Sequence, residues 1–589
     1  MKIKLLVIAV ILIIAGNSVI VAFNLKEKEE GNAFMPCVNK ANLDAPTVKI
    51  NIDPYTIVYE GDMIDCDIVG NPAVKYWRIN NQSFHETFYG DNPVIFDPEP
   101  TPLEDRYINL TVYVENETGN ASDTVQVMLK RIFFGDIHWH TTFGDGVYEL
   151  DTMYQNAVDD NYLDFAASSE HALINPLYAG KPFPIIKMLI DKILGRDPWQ
   201  IIKNKAVEYY DPGNFTTLLG FEWASSNLFP GGYKWSSNGY EDAGHINFYY
   251  KDVYPNAQKY SPLWKLNYDD IFQVMAKEWD KGHLNIGFPH HPLGKIYWFQ
   301  AYGFGKYIQS IKNIPFIYST NWSYLARGME NTDARDKILR GVEVYSQWGT
   351  SIGQYSNISI TWPYLPDSLS NSVCSSNQAD AWVENGMWEW SENQLKNRRF
   401  VMQAGSDTHK VRRPGSAILN VFKPAGITAA YAVHNTRDEI WDAMNNCSIY
   451  GSQLLKIRAN VRFDGQMALG RWINCTSPLN ITVSAMSTFP GIDHSGRCMC
   501  PHGYSQEELN YPISDIWLFK KDRDRGRPWC KVIGHIEPNK NMTVVSFEDY
   551  DVQPNDFYYV SIRQKGQELQ FGENEYTTFI GPVFIDNIV

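Results

Sequence analysis

The sequence predicts an α/β protein whose strand-and-helix middle is flanked by two β-sandwiches. Three observations predict it. Between Arg131 and about Ser452, short apolar runs alternate with stretches of helical spacing. Over 46–130 and 453–589 that texture gives way to apolar and polar residues alternating at period two. The ends of the middle runs collect histidines and carboxylates. Repeated β-α units favour a parallel sheet, closed into a barrel or doubly wound. In a barrel, side chains at the C-terminal ends of the strands converge on one face. The chain has 589 residues, too many for one compact domain and comfortable for three. At 44% hydrophobic and 14% aromatic it is a folded chain. A formal net charge of −15 argues against nucleic acid as the partner. It leaves room for a phosphorylated substrate, because bound metal ions invert the local field.

Met-Lys-Ile-Lys and an apolar run to residue 23 open the chain, as in an export signal or a single membrane-anchor helix. No clean A-x-A site decides between them, and the membrane would be met only through this segment. Eleven N-x-[ST] sequons, among them Asn81, Asn109, Asn214 and Asn541, suit a glycosylated, exported surface. Eight cysteines point the same way. Cys447, Cys475, Cys498, Cys500 and Cys530 fall late and Cys37 with Cys66 early, more readily disulfides than ligands in an oxidising compartment. Residues 24–45 are charged, then Pro- and Asn-rich, and read as a linker. Residues 46–130 read as an immunoglobulin-like β domain with a hairpin around Glu115–Gly119.

In the middle, strand IFFGDIHWH is followed by a helix with Val147, Leu150, Tyr154, Ala157 and Val158 on one face. Strand LDFAASSEH, a helical insertion around Pro184–Tyr210 and strand FTTLLGFEW come next. HINFYYKDV, helix DDIFQVMAKEWDKG and strand HLNIGFPHHP continue the pattern. Helix TDARDKILR, strand GVEVYS, helix MWEWSENQLKNRR, strand FVMQAGSDTH, helix TRDEIWDAMNN and strand CSIYGS complete it. From about Gln453 five β runs predict a C-terminal β-sandwich over 453–589.

The strand ends carry the chemistry. Successive strand side chains point to opposite faces, so His138 and His140 share one face, with Asp136 before them and Asp145 on the following turn. The later ends add Glu170-His171, Glu222, His245, His290-His291, Glu343 and Asp407-x-His409. Seven of the thirteen histidines fall at such ends, which chance placement would not favour. The plain alternative for any one of them is a satisfied core or surface histidine. The set suits metal-assisted hydrolysis: histidines and carboxylates can hold two or three divalent ions, and a carboxylate such as Glu222 can bridge a pair. Ions so held would lower the pKa of a water enough to supply hydroxide near neutral pH.

The HxH with its downstream Asp-Gly, Glu170-His171, Gly220–Glu222, His291-Pro292 and Ser406-Asp407-x-His409 resemble the PHP superfamily. This is the polymerase-and-histidinol-phosphatase group of metal-dependent phosphoesterases. Gly244–Asn247, Phe288–Pro292, Ala404–Asp407 and Ser448–Leu454 leading into Gly465–Gly470 are similar to its branch of larger secreted or uncharacterised proteins, a domain of unknown function. The likeness covers roughly 131–589. It implies a distorted (β/α)7 barrel over 131–452 with a di- or trinuclear site of zinc, manganese or iron. The implied ligands are His138, His140, Asp145, His171, Glu222, His245, His290, His291, Asp407 and His409, with His138, His140, Glu222, Asp407 and His409 closest to the chemistry. His291, directly before proline, is the stronger half of its pair. Glu170 stands where the family has Asp; it orients His171 or ligates. Asp136 and Glu343 are expected behind the ligands.

Lys410, Arg412 and Arg413 follow the last ligand pair and would clamp a phosphate, unless they form a solvated turn. Trp139, Trp223 and Trp298 would wall a pocket or pack in the core. The expected function is an extracytoplasmic metal-dependent hydrolase acting on a small-molecule or surface-polymer phosphoester, with oligomeric state open. Two rivals stand beside it: a hydrolase of amides, lactones or carboxyl esters, and an adhesion or glycan-binding protein with a vestigial metal site.

Overall fold

An uninterrupted strand, β1 (Gly119–Asp136), ties the molecule together. Its first half alternates buried and exposed residues, and pairs antiparallel with Ile108–Asn116 from Ile108↔Val127 to the hairpin turn at Asn116↔Gly119. Its second half, MLKRIFFGD, is buried on nearly every side chain and enters a different sheet. One strand thus crosses the boundary expected at 130/131. The structure, a computed structural model, describes residues 9–14, 17–22, 45–70, 73–80, 82–84, 88–89, 92–98, 100–144, 146–159, 163–172, 197–225, 244–260, 268–290, 332–346, 349–350, 352, 383–409, 426–453, 456–487, 512–526, 529–565 and 575–589.

The architecture is mixed α/β and rich in strands, with six helices among the described residues and one sheet of 16 strands. After β1, helix α1 (Leu150–Asp159) buries Leu150, Met153, Tyr154 and Ala157. Val147 lies before the helix and is exposed, so the apolar spacing ran one turn too far. β2 (Phe165–Ser168) pairs parallel with β1. α2 (Pro198–Glu208) starts where Asp197 accepts the Trp199 N–H and proline takes the first helical position. β3 (Thr216–Ser225) runs parallel to β2. β4 (Gly244–Tyr250) then pairs antiparallel with β3, and β5 (Asn285–His290) antiparallel with β4, after α3 (Tyr268–Asp280). α4 (Thr332–Ile338), β6 (Gly341–Ser346), α5 (Val383–Glu392) and β7 (Val401–Ala404) follow, with β6 parallel to β7.

The ladders of the described residues do not form a closed (β/α)7 barrel. β5 approaches the chain before β6 through a single parallel bridge, Gly287–Leu339, and the segments after β1 and β7 meet at another, Trp139–Thr408. The antiparallel β4 departs from strict βα alternation, since a strand that returns beside its neighbour needs no crossover helix. A further departure is β8 (Gly426–Ala432), GITAAYA, which pairs antiparallel with β1. Its glycine and three alanines carry little strand signal. Small side chains are what its place allows: a Cβ at Gly426 would sit 2.4 Å from the Gly405 carbonyl oxygen. α6 (Arg437–Asn445) and β9 (Ile449–Gln453) complete the middle.

The C-terminal region continues this sheet. β9 pairs with Glu575–Ile588 at Gly451↔Phe579, and Phe557–Lys565, Ile513–Lys521 and Cys530–Ile536 extend it outward. A second sheet of Arg458–Phe463, Leu479–Met486 and Met542–Asp549 packs beside it. The middle and C-terminal regions share one hydrophobic core, whereas Val58, Trp77, Leu110, Val112 and Val127 anchor a separate N-terminal core.

Three expectations need correction or restriction. Cys447, Cys475 and Cys530 are free and buried, so none of these three is in a disulfide; Cys66 is buried, and Cys37, Cys374, Cys498 and Cys500 lie outside the described residues. Ala9–Ile14 and Asn17–Ala22 pair as antiparallel strands, not as a helix. Among the described residues no helix is long and apolar enough to cross a membrane.

Candidate metal centre

Strand geometry brings the histidines together. His138 and His140 leave the end of β1 on the same side, as a two-residue spacing requires. Their Nε2 atoms lie 3.4 and 3.1 Å from Oε2 of Glu222 and 3.3 and 3.2 Å from Oδ1 of Asp407. Glu222 projects from β3. Its other oxygen, Oε1, faces His171 Nδ1 at 3.3 Å and His290 Nε2 at 3.0 Å, and touches His245 Nδ1. His171 follows β2, where it bridges to Glu222, and His290 ends β5. His245 begins β4: because that strand is antiparallel, its start lies at the edge where its neighbours end. His245 and His290 are direct cross-strand partners, with ring centroids 5.0 Å apart. His409 stacks on His140 at 4.2 Å, and His140 on His171 at 4.5 Å.

Four overlapping groups have ligand atoms within reach of one ion each: His138, His140, Glu222 and Asp407; Glu222, His245 and His290; His140, His171 and His409; and His138, His290 and Glu343. Glu222 and the imidazoles of His138, His140 and His290 are almost wholly buried, while the side chains of His171 and His409 are 14% and 19% exposed. The cluster therefore opens on the His171–His409 side.

Behind the cluster, acidic side chains hold the scaffold. His138 Nδ1 meets Glu343 Oε2 at 2.7 Å. Asp136 accepts the backbone N–H groups of His138 and Ser406 at 3.1 and 3.0 Å. The His138 carbonyl accepts from Asp407 N at 2.6 Å and from Ser406 Oγ at 2.9 Å, and His140 N donates to Thr408 O at 2.9 Å. The segment after β7 is thus laced to the segment after β1. Asp407 adopts φ +50°, the left-handed region that Asp tolerates better than most side chains. Glu170 is not seen to bond the His171 ring. Its Oε1 accepts from Thr141 N and Oγ1 and from Ser168 Oγ at 2.5–3.0 Å, fixing the turn after His140.

The electrostatics call for positive charge here. Burial opposes the protonated form of His138, yet the charges of Glu343 and Asp407 and hydrogen bonds to Glu222 and Glu343 hold its pKa well above the ordinary histidine value. Burial likewise opposes ionised Glu222, yet His171, His290, His245 and His138 hold its pKa well below the usual carboxylate range. A buried carboxylate ringed by imidazole nitrogens has the donor chemistry of a divalent metal site. The residues present fit such ions.

Asp145, His291, Lys410, Arg412, Arg413 and Trp298 lie outside the described residues. Trp139 and Trp223 are fully buried core residues, Trp139 edge-on to Tyr154. Lys259 was not singled out by any sequence pattern; its Nζ donates to the His171 carbonyl at 3.0 Å. Burial lowers its pKa, partly offset by Glu170 and Asp197. Only the fold could place it there, because the loop after β4 has no periodicity.

Residues 185–295, which include Glu222, His245 and His290, match a family described as protein of unknown function (DUF3604). That description agrees with the branch of unknown function that the motifs resemble. No curated protein matches the chain. One similar solved structure is a two-domain protein from Bacteroides vulgatus ATCC 8482 containing a predicted PHP-like metal-dependent phosphoesterase. It is 13% identical, with 77% of this chain and 96% of that chain covered and a TM-score of 0.29.

Proposed function

We propose that this protein is a metal-dependent phosphoester hydrolase acting outside the cytoplasmic membrane. The two-sided carboxylate of Glu222 carries this reading: one oxygen faces His138 and His140, the other His171, His245 and His290. A carboxylate so placed is suited to bridging ions a few ångströms apart. Two or three divalent ions held there would polarise a phosphoryl oxygen, lower the pKa of a water and offset charge developing in the transition state. His138, His140, Glu222 and Asp407 would hold one ion, Glu222, His245 and His290 a second, and His140, His171 and His409 a third.

The protein's own groups do the positioning. Glu343 accepts the Nδ1 proton of His138 and leaves Nε2 with its lone pair toward the cluster. Asp136 and the left-handed turn at Asp407 set the distance between the first and last ligand pairs. Substrate enters beside His171 and His409, where the cluster is open, and Lys410, Arg412 and Arg413 follow His409 in sequence. In this reading β1 to β7 are the seven strands of a distorted barrel whose seams are the two single bridges. The apolar run behind two lysines and the sequons support export.

Elemental analysis of the purified chain and of His138→Ala is the first test. The expected result is two to three equivalents of zinc, manganese or iron, fewer in the variant, and cleavage of chromogenic phosphate mono- or diesters in preference to acyl substrates. A folded parent that takes up none of these metals overturns the reading. Loaded protein that cleaves only acyl esters or amides moves it to the other bond.

A further inference from the structure

We propose that Lys259 positions the substrate by holding an anionic oxygen of its phosphoryl group, a step that rests on the hydrolase reading above. Residues 251–260 leave β4 at the end remote from His245 and return alongside α2. Lys203 Nζ donates to Pro255 O at 2.7 Å and Trp199 Nε1 to Ala257 O at 2.8 Å. This path delivers Lys259 to the site's edge. Its ammonium meets the backbone of His171, one of the two histidines on the open side.

The ammonium is oddly provided for. Among the described residues it makes one hydrogen bond, to a neutral carbonyl, and no ion pair, so two of its three N–H donors are uncommitted. The carboxylates whose charge reaches it, Glu170 and Asp197, form no ion pair with it: Glu170 Oε1 accepts from Thr141 and Ser168, and Asp197 Oδ1 from Trp199 N. A half-buried lysine with no carboxylate in ion-pair contact, at the mouth of a cation site, is placed to receive an anion that those cations also attract. Anchoring at the His171 carbonyl sets where that anion sits relative to the His171 ring. A point charge on a flexible stem suits a phosphoryl oxygen.

The test uses the full chain loaded with manganese or zinc, as parent, Lys259→Met and Lys259→Arg. Binding of inorganic phosphate is measured by calorimetry, metal content by elemental analysis, and KM and kcat on a chromogenic phosphoester. Lys259→Met should bind phosphate roughly tenfold or more weakly and raise KM more than it lowers kcat, with metal content unchanged. Lys259→Arg should recover at least part of the binding. Phosphate affinity within twofold of the parent in Lys259→Met overturns the proposal. So does a loss of metal in that variant, which would make Lys259 only a support for the His171 backbone. A parent that binds phosphate through Lys259 but cleaves no ester removes the hydrolase reading and leaves the anion site standing. A parent that binds no phosphate removes Lys259.

Discussion

His138 has no freedom left in its surroundings: Nδ1 is held by Glu343, Nε2 faces Glu222 and Asp407, and its backbone is tied to Asp136, Ser406 and Asp407. The bond to Glu343 decides which ring nitrogen carries the proton, so Glu343→Gln should weaken metal binding without removing a ligand atom from the first two ion positions. The expected loss is about 10- to 100-fold in affinity, read by competition with a chromogenic chelator. Equal affinity in the variant would mean that Glu343 orients nothing. Gly405 tests the same contact sterically. A Cβ there would stand 2.5 Å from His138 Cβ and 2.7 Å from Glu343 Oε2, so Gly405→Ala must push the pair apart. The variant should lose metal while keeping a parent-like circular dichroism spectrum; full metal occupancy would show that the pair can move. Asp407 shows what local spacing reveals and what it hides. Its carboxylate two residues before His409 is readable in sequence, whereas its positive φ, which aims the carboxylate back at His138 and His140, needs the packed loops.

At the level of elements, the strands carrying the cluster were legible because their ends concentrate His and Glu, and buried strands read as continuous apolar runs. Their direction was not. HINFYYKDV looks the same read as a parallel or an antiparallel strand, and only pairing with β3 and β5 brings His245, at its start, beside Glu222 and His290. β8 was missed because alanine and glycine give it no strand texture, although Gly426 is required by its approach to Gly405. The turn from α3 into β5 shows how a helix end sets a ligand's position. Glu278 accepts from His283 Nδ1, Lys281 Nζ and Tyr260 OH, each at 2.7 Å, just before the strand that ends in His290. Burial alone would raise its pKa, but these three bonds hold it below the ordinary value of 4.5. A carboxyl group with a depressed folded pKa stabilises above its unfolded value and loses that contribution as the pH falls through the folded one. The stability gap between parent and Glu278→Gln should therefore be full above about pH 4.5 and close below it. Urea unfolding at pH 7 and pH 3.5 measures this, and a gap unchanged between the two would remove charge from the account.

Across the whole molecule, the N-terminal β domain is latched to the C-terminal region by buried charges. Glu60 accepts from Arg458 Nη1 at 2.7 Å, from Ile132 N at 2.8 Å and from Asp97 N at 2.8 Å. Arg458 reaches Asp97 at 2.7 Å, and Asp62 takes Asn460 Nδ2 and Arg462 Nε, both at 2.7 Å. Burial would pull the Arg458 pKa down, but Glu60 and Asp97 hold it above its ordinary value. Because Ile132 lies on β1, the latch grips the strand that leads to His138 and His140. Removing one charge leaves the other buried and unpaired, so Glu60→Ala or Arg458→Ala alone should cost about 3–5 kcal/mol. Replacing both together, as Glu60→Leu with Arg458→Met, should cost less than the sum of the single losses, since no orphan charge remains. Because β1 belongs to both cores, each variant should unfold at a lower temperature in one transition and not shed its N-terminal domain first. Scanning calorimetry measures both effects. An early separate transition in the single variants would mean that β1 does not couple the cores, and additive losses in the double variant would mean that Glu60 and Arg458 do not act as a pair.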